Sequence, residues 1–359
     1  MQIKHWVKLY ISVPIILIFI VFTFNFIIDP YSITSFNLLK IPNKFARDDR
    51  KEKVAKLFKE ERYDNLLLGS SRVYSINPLL LKKYIHGRTY NSGVGGALIE
   101  DQLGFLLYLE RLKKLPKYIL FGLDFGSFNK NLETNKYFIL NDELNFINKK
   151  SSNNDIYFSR FLSIDATRAS YKTLANFIKD STSKPRFDSN GAANNASKNF
   201  TYYPSIIKKT KFKEKKVKEA FDAIKTSNYR VISKKRLLYL EKIISICKKN
   251  NIKYTFFLTP LNSQLISKIQ KDKEVGKTFI QFKTIISSIT EYYDFIRYNT
   301  INDNRFNFGD PKHPNIYTGN LILARLFNDK NVSLPENFGV LIPKNSKFIN
   351  IDEFTNSKL

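Results

Sequence analysis

A long uncharged apolar run near the N-terminus constrains this chain more than any other feature. From Ile11 to Ile28 (ISVPIILIFIVFTFNFII) no residue is charged, and the apolar stretch begins at Trp6. A helix needs about 20 largely apolar residues to cross a bilayer, and Pro14 stands near its start, where a span tolerates it. Lys4 and Lys8 precede the uncharged core, whereas the first lysine after it is Lys40. That asymmetry predicts a cytoplasmic N-terminus and an extracytoplasmic remainder, in the periplasm or at the cell surface. A cleaved signal peptide would end in small residues; Phe24, Phe26, Ile27 and Ile28 stand there instead. The expected organisation is a cytoplasmic tail (1–5), a transmembrane anchor (6–28), a connector (29–60), a main domain (61–335) and a C-terminal tail (336–359). Within the connector, Asp29-Pro-Tyr31 breaks the helix and Arg47 to Glu60 reads as a second helix.

Charge is less decisive than it looks. The chain carries 59 Lys and Arg against 32 Asp and Glu, a formal net charge of +27. An excess of this size is compatible with an anionic partner. The lysines are spread along the whole chain, however, and accompany the Asn, Ile, Phe and Tyr that AT-rich coding favours. An extracytoplasmic location also removes nucleic acid and cytosolic ATP or NAD as partners. The single cysteine, Cys247, excludes an intramolecular disulfide and any multi-cysteine metal site. It lies among Ile243, Ile244 and Ile246 and reads as buried filler. No metal and no cofactor is called for.

Beyond the connector, strands and helices alternate. Asp64-Asn-Leu-Leu-Leu68 reads as a buried strand, and Asn77-Pro78 starts a helix running to about Tyr84. Arg88 to Asn91 is a short strand, Ala97 to Lys114 an amphipathic helix, and Lys117 to Asp124 a third strand. From about 128 to 228 the rhythm breaks into an Asn-, Lys- and Ser-rich insertion. Helical pieces are expected there at Ala166–Ile178 and Lys209–Ile224, with a loop over Lys184–Asn199. The rhythm then resumes with a helix (Arg236–Lys249), a strand (Ile252–Pro260), a helix (Leu265–Ile289), a strand (Tyr292–Tyr298) and a closing helix (Tyr317–Phe327). This pattern predicts an α/β fold: a parallel sheet of about five strands covered on both faces, with a mostly helical insertion.

The first strand ends in Gly69-Ser70-Ser71-Arg72, at the edge where open α/β sheets place ligands. A serine there needs a base to act as a nucleophile. Of three histidines, His5 precedes the span and His86 reads as the end of a helix. His313 remains, three residues after Asp310 on a segment following the last strand. Asp310 could orient His313 as base for a serine; equally, Asp310-Pro311 could cap the closing helix with His313 in its first turn.

The order and spacing of these blocks resemble the SGNH (GDSL) hydrolase superfamily. Gly69-Ser-Ser71 stands for its Gly-Asp-Ser block, Asn91-Ser-Gly-Val-Gly-Gly96 for its Asn-and-Gly block, and Asp310-Pro-Lys-His313 for its terminal Asp-x-x-His. Similarity is greatest to the membrane-anchored bacterial branch that includes the D-alanyl-lipoteichoic acid and alginate O-acetylation proteins. Asp29-Pro-Tyr, Gly122-Leu-Asp-Phe125 and Leu258-Thr-Pro-Leu261 add to the resemblance, which covers roughly 29–130 and 228–327. It implies a flavodoxin-like three-layer fold and a Ser71–His313–Asp310 triad. It also implies an oxyanion hole using Ser71 and Gly96, with Asn91, Arg72 and Asp124 around the pocket. The hydrolases have Asn where this chain has Asp124, and an ionised carboxylate cannot donate to an oxyanion; an Asp124–Arg72 pair would answer that charge. The function implied is esterase or O-acyltransferase action on an acylated cell-surface or secreted glycan. A multi-span membrane acyltransferase could act as partner in that chemistry. The alternative is a non-catalytic glycan-binding or assembly protein of the same fold.

Overall fold

The structure, a computed structural model, describes residues 2–31, 39, 41, 49–60, 62–133, 161–179, 187–193, 211–227 and 229–346. The chain forms two compact units, one of Met1–Glu61 with Asn141–Arg186 and one of Arg62–Leu140 with Phe187–Leu359.

In the first unit the N-terminal helix runs Gln2–Ile28. Its Trp6–Ile28 segment is long and apolar enough to cross a membrane. A second helix, Asp49–Lys59, carries Asp49 and Glu52 in its first turn and Lys56 and Lys59 in its last, the order its dipole favours. The insertion supplies a third helix, Ile164–Lys179. Phe161, Ala166 and Ala169 pack with Tyr31, Phe22 and Phe26 of the N-terminal segment.

The second unit is built on a mostly parallel six-stranded sheet. Strands β1 (Asn65–Leu68), β2 (Thr89–Asn91), β3 (Tyr118–Leu123), β4 (Lys253–Leu258) and β5 (Tyr292–Asp294) are parallel. A hairpin follows, of β6 (Phe308–Asp310) and β7 (His313–Pro314), and β8 (Val340–Ile342) completes the main sheet antiparallel to β5. The order is β2-β1-β3-β4-β5-β8. The order reverses at β1, so the switch point of the sheet lies between β1 and β3, where doubly wound sheets open a crevice beyond their carboxyl ends. β1 is buried at all four positions and β3 at five of six. Parallel strands covered on both faces need such continuous apolar runs.

The five expected parallel strands are all present, with shifts that have local causes. The helix expected over Leu265–Ile289 is two helices, Ser263–Lys271 and Lys273–Ile289. Asp272 separates them: its backbone is extended and its carboxylate accepts from the N–H groups of Glu274 and Val275, restarting the helix. β5 stops at Asp294 because its side chain accepts from the Ile296 N–H and turns the chain. The stretch taken as a tail contributes β8, after Gly339 turns the chain at φ +74°. The Glu214–Thr226 helix is the described part of the piece expected over 209–224. Of the expected 184–199 loop, residues 187–193 are described; the tail beyond 346 lies outside the described residues.

Candidate active site

Ser71 opens a single 3-10 turn, Ser71–Val73, directly beyond β1. That turn can form because three glycines make room for Val73. A Cβ at Gly69, Gly93 or Gly122 would stand 2.8, 2.4 or 2.4 Å from a Val73 methyl carbon. Gly69, at φ +156°, makes the tight exit from β1. Asn91, fully buried at the end of β2, donates to the carbonyls of Val73 (2.7 Å) and Ile76 (3.1 Å) and accepts from Gly93 N–H (3.0 Å). This asparagine therefore holds the turn rather than lining a pocket. Part of the insertion reaches the same region, where the carbonyl of Asn190 accepts from Asn91 N–H and Phe187 meets the Tyr74 ring edge-on.

The two serines are distinguished by their hydroxyls. Ser70 is buried and its Oγ accepts from the Arg72 N–H as the cap of the turn. Ser71 Oγ lies 2.9 Å from His313 Nε2.

His313 reaches it from the β6–β7 hairpin, so the alternative of a helix cap at Asp310 does not hold. The closing helix is Ile316–Leu326, capped by Asn315. Asp310 and His313 each precede a proline, which disfavours helical backbone and favours extended. Asp310 Oδ1 accepts from the Lys312 N–H at 2.8 Å and fixes the turn between the two strands. Its other oxygen, Oδ2, lies 2.7 Å from His313 Nδ1. Burial works to raise the Asp310 pKa, but the hydrogen bond and charge of His313, with the N–H and ammonium of Lys312, outweigh it and hold it at about 2. An ionised carboxylate can only accept, so Nδ1 carries the proton, and a neutral imidazole then presents its Nε2 lone pair to the Ser71 hydroxyl. The closing helix also presses on the Ser71 segment: a Cβ at Gly319 would stand 2.4 Å from the Ser75 carbonyl oxygen.

Asp124 follows β3 and is buried. Its Oδ1 accepts from Arg72 Nη1 at 3.2 Å and from the Thr259 hydroxyl, and the same Arg72 nitrogen lies 3.3 Å from Thr259 Oγ1. The arginine and carboxylate are both largely buried, at 13% and 8% side-chain exposure. Thr259, just beyond β4, is thus a member of the cluster that residue-by-residue reading of the sequence did not single out. Lys312 is another. Burial and then the charge of Arg72 push its pKa down, while Asp310 works the other way. The Lys312 ammonium is therefore near enough to the Arg72 guanidinium to feel its charge.

Gly96 sits in an exposed turn at φ +60° with open space where a Cβ would be. Neither its N–H nor that of Ser71 has a backbone acceptor among the described residues. No hydrogen bond joins Gly96 to Ser71 there. His86 takes no part in the cluster; its carbonyl accepts from Asn65. Cys247 is buried, and burial pushes its thiol up to about 12. Among the described residues no group of three or more His, Cys, Asp or Glu side chains is placed to hold a metal ion. No protein-family model matches the chain, and no curated protein matches it.

Proposed function

We propose that the chain is a membrane-anchored, extracytoplasmic serine acyl-transfer enzyme of SGNH type, an esterase or O-acyltransferase acting on an acylated glycan. One observation carries the reading: Ser71 Oγ, His313 Nε2, His313 Nδ1 and Asp310 Oδ2 form a continuous relay with links of 2.9 and 2.7 Å. Its members come from two distant parts of the sequence and meet beyond the carboxyl ends of parallel strands. The 2-1-3-4-5 order of those strands is the flavodoxin-like order the reading requires.

In the reaction, Ser71 Oγ attacks an ester carbonyl carbon as His313 Nε2 takes the hydroxyl proton. Asp310 balances the imidazolium. The carbonyl oxygen becomes an oxyanion, for which the N–H groups of Ser71 and Gly96 are the proposed donors. Collapse breaks the ester bond, and His313 returns the proton to the departing alkoxide. A second hydroxyl, from water or from a sugar, then releases the acyl group by the reverse sequence. Arg72 holds the Asp124 carboxylate, so that its charge is balanced beside the developing oxyanion.

A fluorophosphonate probe tests the reading. The wild-type protein should be labelled, Ser70→Ala should retain labelling, and Ser71→Ala and His313→Ala should lose it. Absence of labelling on well-folded wild type would favour a glycan-binding or assembly role. That second reading rests on Asp124, whose carboxylate occupies a position where the hydrolases have an amide donor.

A further inference from the structure

The Ile164–Lys179 helix has two faces of opposite kind. Ala166, Ala169, Ser170 and Thr173 are buried along one. On the opposite face Ile164, Tyr171 and Ile178 are 74%, 68% and 77% exposed. Their spacing of seven keeps them in one stripe, since an ideal helix drifts only about 20° per heptad. Three large apolar side chains this exposed and aligned on one helix face point to an interaction site. By the same geometry Arg168, Lys172 and Lys179 stand along one flank of it, and Asp165 is the one acidic residue of the helix.

What this helix packs against identifies the occupant. Phe161, at its approach, sits edge-on to Phe22 and Phe26 of the N-terminal helix, each at 5.7 Å between ring centres. Asn25, a buried polar residue within the apolar run, donates to the Phe161 carbonyl (2.6 Å) and Thr167 Oγ1 (3.0 Å). An unpaired amide in hydrocarbon costs several kcal/mol, so the insertion helix supplies what the apolar helix lacks at that depth. The contact lies in the last two turns of the Trp6–Ile28 segment. At 1.5 Å per residue that segment is about 34 Å long, slightly more than a hydrocarbon core of about 30 Å. Its last two turns therefore run from the outer part of the hydrocarbon to the headgroup level on the exit side.

We infer that the Ile164–Lys179 helix lies in the bilayer interface, with Ile164, Tyr171 and Ile178 entering lipid and its flanking cations facing lipid phosphates. The inference rests on the N-terminal helix being a membrane span. Interfacial helices combine such an apolar stripe with flanking Lys and Arg, and tyrosine favours the headgroup level. The insertion is then a second membrane contact beside the N-terminal helix.

The full chain, carrying Cys247→Ser, would be reconstituted in phosphatidylcholine–phosphatidylglycerol nanodiscs. Single cysteines at Ile164, Tyr171, Ile178, Ile16 and Lys216 would each bear an environment-sensitive fluorophore. Labels at 164, 171 and 178 should be quenched by a spin label near the headgroups and not by one at the bilayer centre. Iodide in the water should quench them about fivefold less than the label at exposed Lys216. Iodide quenching equal to that at 216 would overturn the inference. Shielding from both iodide and lipid quenchers would also overturn it, since protein would then cover the stripe. The Ile16 label separates the two ideas: quenched from the lipid, it upholds the span whatever the stripe does; open to iodide, it defeats the span and the inference together.

Discussion

Asp310→Asn separates orientation of the base from everything else Asp310 does. In the native hairpin Oδ1 accepts from Lys312 N–H at 2.8 Å and Oδ2 faces His313 Nδ1 at 2.7 Å. An asparagine must keep its carbonyl oxygen toward Lys312, because a backbone N–H needs an acceptor. Its amide NH2 then faces Nδ1 and donates. His313 must answer with a lone pair at Nδ1, which moves its proton to Nε2 and points a donor at Ser71. The wrong tautomer in a serine triad lowers turnover by about 10⁴, or about 5.4 kcal/mol of barrier at 1.36 kcal/mol per decade. Stability should change by less than about 1 kcal/mol, because the Asp310 side chain is 45% exposed and such pairs contribute little. The assay is the second-order rate of fluorophosphonate labelling, alongside urea unfolding of the same preparations. Labelling of Asp310→Asn within tenfold of wild type, with wild type itself reactive, would refute the assignment of His313 as a base oriented by Asp310.

Three further perturbations probe what surrounds the relay. Arg72→Ala leaves the Asp124 carboxylate buried without its cation; it should cost about 3–5 kcal/mol in urea unfolding, and an unchanged midpoint would show that the pair contributes nothing. Gly122→Ala places a methyl 2.4 Å from Val73 Cγ1 and should cost about 1–3 kcal/mol while slowing labelling of Ser71; Gly126→Ala, with nothing within 4 Å, serves as the neutral comparison. Lys283 is fully buried against Asp294 at 2.7 Å, and burial lowers its pKa to about 8. The native state therefore binds fewer protons than the unfolded chain between about pH 8 and 10.5, so this group's contribution to stability rises with pH across that window. The unfolding free energy of wild type minus that of Lys283→Met should increase from pH 8 to 10, and a flat difference would contradict the assignment.

Sequence legibility follows the range of the forces involved. The three leucines of β1, the apolar run of β3 and the Asn77-Pro78 helix start are local signals, and each element starts within a residue of where it was expected, though the helix ends at Leu81 rather than near Tyr84. The chain's shortage of histidines made His313 the one credible base before any geometry was known. What escaped was non-local. Val340–Ile342 is too short to declare itself, and only pairing with β5 makes it a strand. Asp272 breaks a helix whose apolar periodicity runs straight through it, because a side-chain cap competes locally with the pattern. Thr259 stands in the Leu258-Thr-Pro-Leu261 block of the resemblance, but its pairing with Asp124 exists only once β4 lies beside β3. The hairpin that carries Asp310 and His313 could have been read from its two X-Pro steps, which disfavour the helix-cap alternative for Asp310-Pro311.

The same contrast clarifies Asp124. From sequence it is a carboxylate where a donor is wanted, and so an argument against turnover. In the structure both the arginine and the threonine that address it converge on Oδ1. The arginine belongs to the same 3-10 turn as Ser71, one residue on. Asp124 is therefore tied to Ser71 through the backbone: by anchoring Arg72 to β3 and β4, it holds the turn whose first residue meets His313. An amide at this position would offer a donor but would bind a buried guanidinium less strongly than a carboxylate does. Replacing Asp124 by Asn should accordingly loosen the turn before it improves any oxyanion hole, so that stability and labelling fall together. A variant in which labelling rises while stability falls would reverse that order of importance and make the side chain a defect in the hole rather than a support for the serine.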